Sequence, residues 1–284
     1  MAFIAPICLL CVLLVLLSRR LQTKLRALFV RRPALVFAVA VALAAVFCAT
    51  AASVHALSLP LALAVFGYMM IPAACVYWSR ADFAMILMLW LPLEWGVGAS
   101  LVPRRAQGVL HATAYAIALL LAVTLFLLVR RSDGMRYRLP RKVSDLRNVA
   151  IGYLVSAAVL IPLGLRIGFL AHPHLAHLSA GGAFGRFVLI FFATAFPEEI
   201  LFRSLIQNWL TRRLTHSWQA VAIAGVIFGA AHLDNGPGAL PNWRYMAEAT
   251  IAGWIFGAVF VRSSSVLASA AVHAAVDLTQ HLFF

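Results

Sequence analysis

Residues 187–210 read Phe-Val-Leu-Ile-Phe-Phe-Ala-Thr-Ala-Phe-Pro-Glu-Glu-Ile-Leu-Phe-Arg-Ser-Leu-Ile-Gln-Asn-Trp-Leu. The run has the length of a membrane span and is apolar almost throughout, yet it holds two adjacent carboxylates, Glu198 and Glu199. About 20 apolar residues suffice to cross a bilayer as a helix. Ionisable groups at that depth are costly and are kept mostly where they have work to do. Positions four apart on a helix share a face, so Arg203 is placed to pair with Glu199. Glu198, rotated by about 100° per residue, is left to face something else. Pro197 lacks an N–H and loosens the helix just before the acids. An ion pair that only holds a bundle together needs one glutamate and one arginine, so the second carboxylate asks for a function.

The rest of the chain agrees with a membrane setting. Of its 284 residues, 64% are hydrophobic and 11% charged, against roughly half and a quarter in soluble domains. Disorder, collagen-like repeats and a disulfide scaffold are excluded by the same figures, and Cys8, Cys11, Cys48 and Cys75 all fall inside apolar runs as packing residues. Apolar runs lie at about 2–17, 34–56, 59–78, 83–101, 108–129, 148–170, 187–210, 217–232, 246–261 and 265–284. Without β-barrel alternation, the expected fold is all-α: a polytopic transmembrane bundle of about ten helices (8–10). Residues 1–147 form an N-terminal region of about five helices. Residues 148–284 form a second domain, with its motif core at 185–281.

The net charge of +14 would suggest nucleic acid in a soluble protein. Here the basic residues sit between the apolar runs, as in cytoplasmic loops, and some attraction to anionic headgroups follows. Alternating ten spans puts Arg19 to Arg32, Arg80, Arg130 to Arg147, Arg212, Arg213 and Arg262 on one side, with both termini outside. The first run, with its charge after it rather than before it, reads as a retained anchor. The arginine-rich loops suit a bacterial inner membrane.

Only nine acids occur, and Glu94, Glu198, Glu199, Glu248 and Asp277 fall within expected spans. Two further motifs follow the glutamates. Phe228 and His232 are four apart on one helix, and His273 and Asp277 are four apart on the last. A carboxylate beside an imidazole can fix its tautomer and raise its basicity. Helix rise places Glu198, His273 and Asp277 at similar heights, with His232 somewhat higher, so the set can converge in one cavity.

The ordered set Glu198-Glu199-x-x-x-Arg203, Phe228-x-x-x-His232 and His273-x-x-x-Asp277 resembles the motifs of the CPBP family, the CAAX-protease and bacteriocin-processing (Abi-type) family, over about a third of the chain. The resemblance implies an intramembrane protease fold and hydrolysis of a peptide bond of a membrane-anchored or exported peptide or protein. It implies that Glu198 is the base that activates water, that Glu199 and Arg203 support it, and that His232, His273 and Asp277 hold the water and steady the oxyanion. Asp277 stands where CAAX-processing members have Asn, which leaves the charge of the site, and any metal, open. No cofactor is required on the glutamate route; zinc held by His232, His273, Glu198 and Asp277 is the alternative.

Signatures of other proteases are missing: no H-E-x-x-H, no G-x-S-x-G and no Gly-Asp pair of the aspartyl type. A non-catalytic scaffold or immunity protein, and a proton-coupled transporter, are the competing classes. Transport would spread charge over both halves, and the first half has almost none within its spans. Phe228 and Glu94 are further cavity candidates, with interfacial anchoring beside Trp90 and Trp95 as the alternative for Glu94. Glu248 is expected to cap the ninth span. His172, His174 and His177 are expected in a solvated outer loop, and Asp234 to Gly238 in a turn.

Overall fold

The computed structural model describes residues 3–78, 81–94, 96, 98–174, 179–236 and 240–284. Arg80, Trp95, His177, Pro237 and Gly238 lie outside the described residues. The described chain is helical, without a strand, and falls into two units, Met1–Asp133 and Gly134–Phe284.

The first unit holds α1 (Ile4–Val15), α2 (Arg19–Arg31), α3 (Leu35–Ser53), α4 (Leu59–Cys75), α5 (Asp82–Glu94) and α6 (Arg104–Val129). Central in it is α6, packed by α1, α3 and α5. The basic segment after α1, expected as a loop, is itself a helix. It bends 95° away from α1, buries Gln22 and Phe29 and turns Arg19, Arg20 and Arg31 outward. Arg26 Nε donates to the Leu127 carbonyl at 2.9 Å, near the end of α6. Arg130 bridges to Asp82 at 3.3 Å. Cys8 and Cys11 lie on the exposed side of α1 rather than in packing contacts.

The second unit holds α7 (Val143–Ile167), α8 (Ala180–Thr211), α9 (Ser217–Ala230), α10 (Trp243–Arg262) and α11 (Val266–Phe283). Thus all ten apolar runs lie on helices. Four of the eleven helices, α3, α6, α7 and α8, are long and apolar enough to cross a membrane unaided, and the bent pair α1–α2 would add a fifth. The run at 83–101 is shorter as a helix than as a run. It ends at Glu94 because Gly96 and Gly98 adopt φ of +58° and +86°, which L side chains disfavour.

Close helix packing in the second unit depends on small residues. On α7, Gly152, Ser156, Leu160 and Gly164 form one buried stripe at four-residue spacing, while Ile151, Leu154, Val155 and Val159 face outward. Those outward apolar side chains are what a helix shows to lipid. Between α9 and α10 the backbones nearly touch. A Cβ at Gly229 would lie 2.0 Å from Thr250 Oγ1, and one at Gly253 would lie 3.0 Å from the Gly225 Cα. Gly225 meets Gly253, and Gly229 lies against Met246 and Thr250, the small-residue device that lets helices approach without a hydrophobic driving force.

The arginine-rich stretch after Gly134 is tied to the turn between α10 and α11. Arg136 donates to the Ser263 carbonyl, and Arg138 Nε to the Ser264 carbonyl at 2.6 Å. Asp145, in the first turn of α7, accepts from the Ser264 N–H at 2.7 Å and from the Ser264 hydroxyl. Cations thus meet carbonyls at the C-terminal end of α10, where the helix dipole favours them. These contacts fix where α11, and with it His273, begins.

Candidate active site

The glutamate pair sits on a helix of uneven winding. In α8 the turns widen to π geometry over Phe191–Ala195 and again over Ile200–Gln207, with an α-helical turn, Phe196–Glu199, between them. Pro197 sits in that turn and offers no N–H. Such π segments recur at functional sites. The buried end of α8 is pinned by Ser204 to the Met135 carbonyl (2.7 Å) and by Gln207 to the Gly257 carbonyl (3.1 Å).

The two glutamates diverge as their spacing requires. Glu199 is fully buried, and its Oε2 accepts from Arg203 Nε at 3.1 Å; Arg203 is equally buried. The other oxygen of Glu199, Oε1, lies 3.3 Å from His273 Nδ1. Glu198 turns to a cavity with its side chain about one-fifth exposed. On the far side of the imidazole, His273 Nε2 lies 3.5 Å from Asp277 Oδ2 and 3.9 Å from Glu198 Oε2. A single imidazole therefore links all three carboxylates. The sequence pairs His273 with Asp277 alone, because i,i+4 spacing sees only one helix. The partner on Nδ1 comes from α8.

Phe228 joins the second motif to this cluster. It is buried, with its ring 4.7 Å from that of His232, 5.7 Å from that of His273 and 4.9 Å from that of Phe202. The Arg203 guanidinium carbon lies 5.0 Å from its centroid. That contact shelters a guanidinium whose Nη1 and Nη2 have no hydrogen-bond partner among the described residues. His232 lies just past the end of α9, and its Nδ1 is 2.7 Å from the Phe228 carbonyl. A carbonyl only accepts, so Nδ1 carries the hydrogen and a neutral His232 presents a bare Nε2. His232 reaches the other site residues through the Phe228 ring and the shared cavity.

The cavity has a volume of about 100 Å³, room for roughly three waters. Glu198, His232, His273 and Asp277 line it, together with Tyr245, Glu248 and Phe256 of α10. Three of these contributions are absent from the motif reading. Phe256 stacks on His273 at 4.8 Å, and Tyr245 packs edge-on against His232 at 4.7 Å. Glu248 does not cap its helix. Asn242 does, accepting from the Tyr245 N–H at 3.1 Å, while Glu248 lies further along α10, buried and facing the cavity. The available signal was spacing: Tyr245, Glu248, Ala252 and Phe256 recur at three and four residues, the mark of one helix face.

Glu94 belongs to the first unit, where its Oε1 accepts from the Trp90 indole at 2.7 Å. His172 and His174 are exposed, and the His174 N–H donates to the Phe283 carbonyl at 2.8 Å. Asp234 stands in a turn. Among the described residues no three His, Cys, Asp or Glu side chains are grouped to hold a metal ion.

No curated protein and no solved structure matches the chain. Residues 180–279 match the family model described as type II CAAX prenyl endopeptidase Rce1-like. The matched segment runs from the start of α8 into α11 and contains all three motifs and the α10 wall between them. This agrees with the CPBP resemblance read from the motifs: residues 180–279 of this integral membrane protein, about a third of the chain, are similar to the Rce1-like CAAX endopeptidase family.

Proposed function

We propose that the protein is an intramembrane endopeptidase that hydrolyses a peptide bond of a membrane-associated or exported peptide by means of a glutamate-activated water. The observation that carries this reading is the division of labour between adjacent carboxylates. Glu199 is sealed between Arg203 and His273, while Glu198 reaches the cavity beside His273 Nε2. Glu198 accepts a proton from a cavity water, which attacks the scissile carbonyl. His232, with its bare Nε2, accepts a hydrogen bond from that water and orients it. His273, held at Nδ1 by Glu199, directs Nε2 into the cavity to donate to the tetrahedral oxyanion or to the leaving amine. Asp277 keeps that ring in place from the other side.

The metal-free route fits the donor geometry better than zinc, since among the described residues no three His, Cys, Asp or Glu donors are grouped closely enough to hold a metal ion. Retained cleavage in a metal-stripped, chelator-treated preparation supports it, and strict zinc dependence overturns it. The experiment for the function as a whole compares purified wild type with Glu198→Gln on membrane-anchored peptides, read by mass spectrometry. Loss of about 10²-fold or more in cleavage rate, with an unchanged unfolding temperature, is the expected result. Cleavage that persists in Glu198→Gln refutes the assignment, and a folded protein that cleaves nothing favours the scaffold reading.

A further inference from the structure

The cavity extends well beyond the reacting groups. It follows α7 from Tyr153 to Ile161 and continues to Phe169 and Leu170. On α7, Gly152 packs beside Val272, the neighbour of His273, whereas Gly164 meets Glu248. Those two glycines are about three turns apart. The Glu248 carboxyl therefore stands at the opposite end of the cavity from His273.

Glu248 is buried, 5% exposed as a residue, and its Oε1 has no hydrogen-bond partner among the described residues. The cation best spaced to pair with it, Arg244 one turn earlier on α10, is turned instead to the Gly168 carbonyl at 3.1 Å. Room for the carboxyl is made by the missing side chain at Gly164, where a Cβ would lie 2.9 Å from Glu248 Oε1. Among the described residues the lining contains three carboxylates, Glu198, Asp277 and Glu248, and two histidines, His232 and His273, but neither lysine nor arginine. A buried carboxylate without a partner is expensive; Glu198 and Asp277 face His273, whereas Glu248 faces no basic group among the described residues and favours a ligand of opposite charge.

We propose that Glu248 is a binding subsite for a basic side chain, lysine or arginine, located a few residues from the scissile bond of the peptide substrate. The inference deepens the endopeptidase reading and rests on it. A lysine stem fits the apolar walls given by Leu160, Ala249 and Ala252, with its ammonium reaching the carboxylate. Such a subsite would set the register of the peptide, so that only one carbonyl reaches Glu198.

The test uses the full-length protein in lipid nanodiscs and a series of acylated peptides in which one lysine is walked along an otherwise apolar sequence. Norleucine at the same position is the uncharged control. Two readouts are taken: cleavage by mass spectrometry, and binding to the Glu198→Ala protein by fluorescence anisotropy, which needs no hydrolysis. The expected result is one lysine position preferred over norleucine by at least about tenfold in both readouts. The preference falls to near one in Glu248→Gln, and in Glu198→Ala/Glu248→Gln for binding. Glu248→Met, which cannot accept the charge, should behave alike; unfolding temperatures identify any variant that fails through misfolding. Absence of a lysine preference in binding, or its survival in Glu248→Gln, overturns the subsite. Cleavage that survives Glu198→Ala overturns Glu198 as the base, and cleavage by no form overturns the endopeptidase reading; in either case the binding result still decides the subsite.

Discussion

Replacing Arg203 by methionine isolates the energetics of the buried pair. Arg203 and Glu199 are both fully withdrawn from solvent and joined at 3.1 Å. Removing one partner of such a pair leaves an uncompensated buried charge, at a cost of about 3–5 kcal/mol. Loss of the guanidinium from the Phe228 face adds roughly 0.5–2 kcal/mol. The remaining partner of Glu199, His273 Nδ1 at 3.3 Å, keeps the sum toward the lower end. For a unit of this size 1 kcal/mol corresponds to about 2–4 °C in unfolding temperature, so Arg203→Met should unfold roughly 6–20 °C below wild type. The double variant Glu199→Gln/Arg203→Met removes both charges and keeps an amide opposite His273, and should recover most of that loss, because a buried pair contributes little net stability over neutral groups. The assay is thermal unfolding of the detergent-solubilised protein, followed by tryptophan fluorescence and by the fraction surviving size-exclusion chromatography. A single variant within about 3 °C of wild type, or a double variant as unstable as the two singles added together, refutes the reasoning.

Gly229→Val places a side chain where even a Cβ would lie 2.0 Å from Thr250 Oγ1 and 2.6 Å from the Met246 carbonyl. It should separate α9 from α10, cost at least about 1–3 kcal/mol and reduce cleavage by displacing His232, measured by unfolding temperature and peptide hydrolysis together. Asp145→Ala removes the acceptor for the Ser264 N–H and hydroxyl and for the Arg141 and Lys142 N–H groups. A loss of about 2–4 kcal/mol is expected from leaving those donors unmet, seen as a lower unfolding temperature and faster exchange of the Ser264 amide. Reporter fusions in the 171–184 and 130–147 loops should light up on opposite faces of the membrane, with the arginine-rich loop cytoplasmic; both on one face would reject the alternating arrangement.

Much of this protein is written in short-range pattern. Hydropathy located every apolar helix, because a backbone in lipid must satisfy its own hydrogen bonds. Four-residue spacing gave the Glu199–Arg203 pair and the Phe228–His232 and His273–Asp277 faces, since a helix makes those neighbours without help from the fold. What spacing cannot supply is a partner on another helix. The contact from Glu199 to His273, the stacking of Phe256 on His273 and the turning of Glu248 into the cavity depend on how closely α7, α8, α10 and α11 pack. That closeness is set by glycines such as Gly152, Gly164 and Gly257, whose value lies in side chains they do not have. The basic segment at 19–31 shows the same limit: its charge is visible in the sequence, but its 95° bend from α1 and the burial of Gln22 and Phe29 are visible only in the structure. The sequence by itself determined a helical membrane protein carrying a Glu-Glu, His, His-Asp motif set. Only the tertiary structure decided which carboxylate is sealed and which meets the cavity, because burial is a property of neighbouring helices and not of the chain.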